Sequence, residues 1–266
     1  EGLGIASLRL FESGALSADP GDALRADALS RIDAALLAHA FQAGPDNPLL
    51  GLEGRAALLR RLGEAVGRPG DLYDVMAARA VDGRLGAPVI LEVLLEALGP
   101  IWPDRLSLGG VPLGDCWRHS AIRRDDPTDG LVPIHKLSQW LAYSLIEPLQ
   151  AAGLEITDID GLTGLAEYRN GGLLVDTGVL SLRDPADAAR AHPVESELIV
   201  GWRALTVALL DRLATLVRER LGVSAEAFPL VCVLEGGSWA AGRRIAAGLR
   251  PDGGPPIKVI SDGTVF

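Results

Sequence analysis

Cysteine is nearly missing from this chain: Cys116 and Cys232 are the only two, and they lie far apart. A disulfide framework is therefore not expected, and a reducing cytoplasm is the expected setting. Long apolar runs are missing too. Crossing a membrane takes about 18 successive apolar residues, and even the richest stretch, Trp202 to Leu221, is broken by charges. No membrane partner is expected. The opening Glu1-Gly2-Leu3-Gly4 has neither the basic start nor the apolar centre of a secretion signal. It also lacks a Met, so the chain is expected to be a processed or cut piece of something longer. Basic residues are in the minority, 25 Lys and Arg against 35 Asp and Glu, for a formal charge of −10. No nucleic-acid partner is expected, since that surface needs a basic stripe. A small anionic ligand stays possible, because a few local arginines hold a phosphate even inside an acidic protein.

Several catalytic signatures are missing as well. Cys116 and His119 have a C-x-x-H spacing with no second Cys/His pair, whereas a structural zinc needs four ligands. No metal and no cofactor is expected. There is no G-x-S-x-G, and Gly237-Ser238-Trp239 lacks its flanking strand and second glycine. A phosphate loop ending in G-K-[ST] is absent, and Gly109 to Gly114 fits a plain turn better than an anion cradle.

What is present favours helices. Hydrophobic residues make up 48% of the 266, enough for a sizeable core. Ala, Leu and Gly dominate, and β-branched runs are short. The apolar spacing predicts a helix over 27–41, with Ile32, Leu36, Leu37 and Ala40 inward. Asp46-Asn47-Pro48 predicts a helix start leading to about Val66, and another helix is predicted over 87–98. Residues 133–150 predict a helix whose core face is Leu137, Trp140, Leu141, Ser144, Leu145 and Pro148, with Pro148 kinking or ending it. Lys136, Gln139, Tyr143 and Glu147 form its second, polar stripe. A short helix is predicted after Gly172, turning at Gly178. His192-Pro193 is predicted to open a long helix to about Leu221, with Glu195 and Glu197 in its first turn. Residues 256–266 predict a β-hairpin, with strand Ile257 to Ile260 and a turn at Asp262-Gly263. The fold class expected is mainly α with a few short strands, as one helical catalytic domain over 1–266.

The densest polar segment is Glu167-Tyr168-Arg169-Asn170, followed by Gly171-Gly172. It fits an exposed turn capped by Asn170, with Glu167 and Arg169 pairing locally. It also fits an active centre. The flanks Leu162, Leu165, Leu173, Leu174 and Val175 are apolar, so the segment can dip inward, and a partly desolvated carboxylate beside an Arg suits acid–base work. Asp176 lies farther along and is a second candidate carboxylate. The residues alone leave both readings open.

Seven stretches carry a resemblance. Among them are DNPLLGLEGRAALLRRLG (46–63), LGPIWPDRLSLGGVPLGDCWRH (98–119), GLVPIHKLSQWLAYSLIEPLQ (130–150) and TDIDGLTGLAEYRNGGLLVDTGVL (157–180). They resemble the uracil-catabolism protein family, fungal and bacterial, known as a domain of unknown function. The resemblance covers essentially the whole chain. It implies an N-terminal portion, present in the family and missing here, which would be a partner if it exists as a separate fragment.

A second likeness is to the queuosine salvage nucleosidases, a helical fold similar to helix-hairpin-helix glycosylases. It rests on Lys136-x-x-Gln139, then Leu162-Thr163-Gly164-Leu165-Ala166-Glu167-Tyr168-Arg169, then a helix entered through Glu195 and Glu197. Here Glu167 stands where that family has Asp, and Asn170-Gly171-Gly172 replaces a Pro-containing segment.

Together the resemblances imply a hydrolase that releases urea from a ribosylurea, or from its 5-phosphate, by cleaving the N-glycosidic bond. Glu167 would stabilise the oxocarbenium-like centre and orient water, with Asp176 as second candidate. His135 would protonate the leaving urea. Lys136 and Arg169 would hold phosphate or hydroxyls, and Gln139, Tyr168 and Asn170 would complete the substrate site. Two other classes stand beside this reading. One is an amidohydrolase attacking the urea group; the other is a non-catalytic ligand-binding subunit.

Overall fold

The computed structural model describes residues 2–49, 51–102 and 105–260. The chain divides into two compact units, one taking residues 2–85 and 92–114, the other 86–91 and 115–260. Helix dominates, with a few short strands, as composition predicted.

The elements of the first stretch are α1 (Gly2–Glu12), α2 (Ala34–Ala40), α3 (Leu52–Val66), α4 (Leu72–Arg79), β1 (Arg84–Gly86), α5 (Ala87–Leu98), β2 (Ser107–Leu108) and β3 (Val111–Pro112). The helix expected over 27–41 is interrupted. A single 3-10 turn, Leu29–Arg31, precedes Asp33, which is extended and accepts from the Leu36 N–H at 2.7 Å. That carboxylate caps α2 and ends any continuation from upstream. The helix expected from Asp46 begins later, after Gly51 at φ +72°. Asn47 instead donates its amide to the Gln42 carbonyl at 3.0 Å, closing a turn. The predicted span 87–98 is observed as α5. Leu10, Leu29, Ile32, Leu37 and Ala56 form one buried cluster of this unit.

The second unit holds β4 (Cys116–Arg118), β5 (Leu131–Pro133), α6 (Lys136–Ala151), β6 (Glu155–Thr157), α7 (Tyr168–Asp176), β7 (Ala191–Pro193), α8 (Glu197–Leu221), α9 (Leu230–Val233), α10 (Ala240–Leu249) and β8 (Lys258–Ile260). A π-helical turn, Leu234–Trp239, joins α9 to α10. The central element is α8. Its buried side chains Ile199, Arg203, Thr206, Leu210 and Ala214 recur at helical spacing. Three apolar clusters meet it: Trp117, Ile134 and Ala166 at Val200; Leu230, Val233 and Leu234 at Leu210; Ile257 at Ile199 and Trp202.

Sequence expectations change in this unit. His192-Pro193 does not open α8 but lies in β7, and Ser196 caps the helix instead, its hydroxyl accepting from the Ile199 N–H. The strand expected at 257–260 is observed as β8, and it pairs in parallel with β7, Ala191 opposite Lys258, a partner the sequence did not suggest. The predicted turn at Asp262-Gly263 lies outside the described residues. The faces of α6 are exchanged relative to expectation. Lys136, Ser138, Gln139, Ala142, Ile146 and Leu149 are buried, while Trp140 is 52% exposed and Leu141 37%. The polar side chains go inward because they find partners there, and Trp140 lines an open cleft. Pro148 does not end the helix, which runs on to Ala151.

Candidate functional site

Glu167 is the N-cap of α7. The segment read as a turn before a helix is the helix's own start. The residue is extended, and its two carboxylate oxygens accept from the backbone N–H groups of Asn170, at 2.5 Å, and Arg169, at 2.8 Å. This satisfies donors that a helix start leaves open. The glycines that follow let α7 come close to its neighbours. A Cβ on Gly171 would stand 2.8 Å from Thr206 and Trp202, and the Trp202 indole N–H donates to the Gly171 carbonyl at 3.0 Å. A Cβ on Gly242 of α10 would run into the Arg169 carbonyl oxygen. Two helices thus clamp α7 at backbone distance, which fixes where Glu167 points.

Glu167 is only 7% exposed. Burial pushes its carboxyl above the usual range, against the two N–H bonds and the charges of Lys136 and Arg169. Lys136 is 5% exposed, and burial, aided by the Arg203 charge, pulls its ammonium down to about 8. Asp115 and Glu167 oppose that fall. Lys136 and Glu167 therefore share one buried electrostatic field.

A second acid organises this field. Asp115 takes two hydrogen bonds of 2.8 Å from Arg203 and one of 2.6 Å from the Trp117 indole. Its carboxylate also accepts from the Lys136 backbone N–H at 2.9 Å, and its carbonyl from the N–H groups of Ile134 and His135. Burial would raise the Asp115 carboxyl, but Arg203, Trp117 and the Lys136 N–H together hold it below the usual range. Asp115 thereby fixes the left-handed turn at His135, φ +49°, from which α6 starts. Sequence reasoning singled out neither Asp115 nor Arg203 as site residues. The visible signal was the polar density of 115–119 and one Arg on the inward stripe of α8.

The buried stripe of α6 fastens the approach to Glu167. Gln139 accepts from the Thr163 N–H, and Tyr143 donates to the Thr163 carbonyl, both at 3.1 Å. Burial, with Asp160 and Asp211 nearby, raises the Tyr143 phenol, so it stays a donor. Asn170, 1% exposed, donates to the Leu165 carbonyl and accepts from the Ser238 hydroxyl at 2.8 Å.

Glu167 and Asn170 open onto a cleft of about 480 Å³. From α6 come Trp140, Tyr143, Ser144, Ile146 and Glu147; from α9 and the π turn come Val231, Leu234, Glu235 and Trp239; Ile159 and Leu165 complete it. A π turn is wider than an α turn and recurs at functional sites. Here it sets Glu235 and Trp239 on the same lining.

The structure does not bring every expected residue to this cleft. Asp176 is nine positions beyond Glu167, about two and a half helical turns, and so faces away. It forms a two-bond ion pair with Arg250, at 2.8 and 2.5 Å, beside a separate groove that Tyr168 and Arg169 also line. Arg169 lies over the Tyr168 ring, 4.8 Å from its centroid. His135 is outside the cleft lining as well. Its Nδ1 is buried with no hydrogen-bond partner among the described residues, and burial lowers its pKa. Lys136 and Gln139 are buried and are not among the residues of the open lining. Among the described residues no three His, Cys, Asp or Glu side chains cluster as a metal site would require. No helix among them is long and apolar enough to cross a membrane.

Fold and site define a mainly helical protein with an aromatic, acidic cleft floored by a helix-capping carboxylate. The chain belongs to the family described as protein of unknown function (DUF1688), which it matches over residues 1–266. It is 44% identical over 274 residues to "Protein urg3" of Schizosaccharomyces pombe, covering 100% of this chain and 67% of that protein. It is 40% identical over 305 residues to "Uracil catabolism protein 4" of Lachancea kluyveri, covering 100% of this chain and 69% of that protein.

Proposed function

We propose that this protein acts in uracil breakdown as a hydrolase that cleaves the N-glycosidic bond of a ribosylurea and releases urea. The pathway comes from the name of its Lachancea kluyveri relative. The chemistry rests on one observation: Glu167 is a buried carboxylate with raised proton affinity, held in one orientation on the floor of a cleft large enough for a small ligand.

An ionised carboxylate has about four acceptor positions, and the backbone N–H groups of Arg169 and Asn170 take two of them. The remainder are free to hold a water. In the reaction, water adds at C1 of the ribose as the C1–N bond breaks. The water's second proton passes to Glu167 and then to the departing urea nitrogen, giving ribose and urea. Raised proton affinity suits this shuttle, because the carboxyl must both accept and return the proton near neutral pH. The same negative charge stabilises the oxocarbenium-like centre at C1. Trp140 and Trp239 offer flat apolar surface to the substrate, and Asn170 a positioned amide.

The test is direct. Purified protein given ribosylurea should release urea and ribose, and Glu167→Gln should lower kcat at least a hundredfold. Full activity in Glu167→Gln overturns the assignment of Glu167. Ammonia or carbon dioxide as first products would support the amidohydrolase reading instead. Binding of ribosylurea without turnover would support a non-catalytic binding subunit.

A further inference from the structure

The charge pattern of the cleft narrows the ligand further than the pentose chemistry requires. The residues lining it include three acids, Glu147, Glu167 and Glu235, and no Lys or Arg. Glu147 and Glu235 are exposed, and neither makes an ion pair among the described residues. The cations nearest in sequence are occupied elsewhere. Arg169 lies over Tyr168 at the other groove, Arg250 is paired with Asp176, and Lys136 is buried and absent from the lining. Arg243 stacks on Trp239, 4.7 Å from the ring centroid, outside the lining.

We infer that this cleft selects an uncharged, hydroxyl-bearing ligand with a planar group and turns away the same ligand carrying a phosphate monoester. The inference rests on the proposed function for the identity of the ligand. Its physical basis is independent of the reaction. Carboxylates only accept hydrogen bonds, so Glu147 and Glu235 match hydroxyl donors and have nothing to offer a phosphate. A phosphate carries between one and two negative charges at neutral pH, and it meets repulsion from Glu147 and Glu235 through water and from Glu167 at the buried floor. Trp140 and Trp239 supply flat faces for a sugar ring or a ureido plane. Rejection by like charge is a recognised route to specificity between two ligands that otherwise match.

The class of reaction that precedes this one follows. If the ligand is first made as a phosphate ester, a phosphatase must act before this cleft is reached.

The experiment compares ribosylurea with ribosylurea 5-phosphate, by titration calorimetry and by quenching of tryptophan fluorescence. The neutral compound should bind at least tenfold more tightly. In Glu147→Gln/Glu235→Gln the ratio should shrink at least threefold; both positions are exposed, and thermal unfolding checks that the variant is folded. An unchanged ratio in that variant overturns the inference. So does tighter binding of the phosphate ester, and if Arg243→Gln then abolishes it, Arg243 at the rim is the cation responsible. Failure of the neutral compound to bind at all overturns it too. Neutral-selective binding without cleavage leaves the inference standing and removes the hydrolase reading instead.

Discussion

Asp115 and Arg203, 88 residues apart, meet in two hydrogen bonds of 2.8 Å while both are almost wholly buried. The same carboxylate holds the first N–H of α6. One acid therefore ties the helix that carries Lys136 to the helix that forms the core. Removing one partner of a buried pair leaves the other charged and unsolvated, at about 3–5 kcal/mol. Asp115→Ala should lower stability by that amount, read from urea unfolding. Asp115→Leu/Arg203→Met should recover part of the loss, because neither charge is then left alone. A cost under ~1 kcal/mol for the single change would show that the pair is not what holds α6.

Glu167 has two duties that one pair of substitutions separates. Glu167→Ala removes the cap, which costs about 1–2 kcal/mol, or roughly 2–8 °C in Tm for a unit of this size. Asp is also a good cap, so Glu167→Asp should keep Tm within ~1 °C. It draws the carboxylate back by one methylene, and kcat should fall at least tenfold. If Glu167→Asp keeps full activity, the carboxylate is serving as a cap alone.

Lys136 makes stability depend on alkaline pH. Its folded-state value, about 8, lies below the ordinary 10.5. Between these limits the unfolded chain binds more protons than the folded one, so stability rises with pH across that window. Below pH 8 the ammonium is charged in both states, and its contribution is lost. The swing is at most on the order of 3 kcal/mol. Urea unfolding at pH 7.5 and 10 should show wild type gaining relative to Lys136→Met. Parallel pH profiles for the two proteins would sink the idea.

Asp176→Asn should tell the two carboxylates apart. Asp176 pairs with Arg250 away from the cleft. The substitution should cost about 1–3 kcal/mol of stability and leave kcat within threefold. A hundredfold loss of turnover in a folded Asp176→Asn would move the chemistry to the second groove.

Much of the fold was legible from periodicity, and the reasons for the failures are specific. The helix at 87–98 was readable because its apolar positions and its Gly-Pro stop agree. The face of α6 was misread because hydropathy scores Lys136 and Gln139 as wet, while their burial depends on the distant partners Asp115, Glu167 and Thr163. The break before α2 was hidden because Asp33 looks like any surface acid until its carboxylate is seen capping. At the candidate site, the local polar density points to Glu167 and Asn170, which lie together on the cleft. Glu147 was noticed only as part of a stripe, and Glu235 was not noticed at all. It owes its place to a π turn that follows no 3.6-residue rhythm. Asp176 was grouped with Glu167 by nearness in sequence, which the helix's own rotation undoes.

That π turn has a consequence for how this protein tolerates change in length. A π turn is an α-helix holding one residue more than its neighbours' geometry needs. Loss of a single residue at Gly236-Gly237 would therefore be absorbed as the segment closes into ordinary α-helix, whereas loss of one at Ala240-Ala241, in regular α-helix, would rotate everything after it by about 100°. Gly242 would leave the Arg169 carbonyl, and a residue with a side chain would take its place. The extra residue thus acts as slack between two parts of the chain. Relatives that keep the clamp on α7 are expected to tolerate a difference of one residue within 234–239, but none between 240 and Gly242.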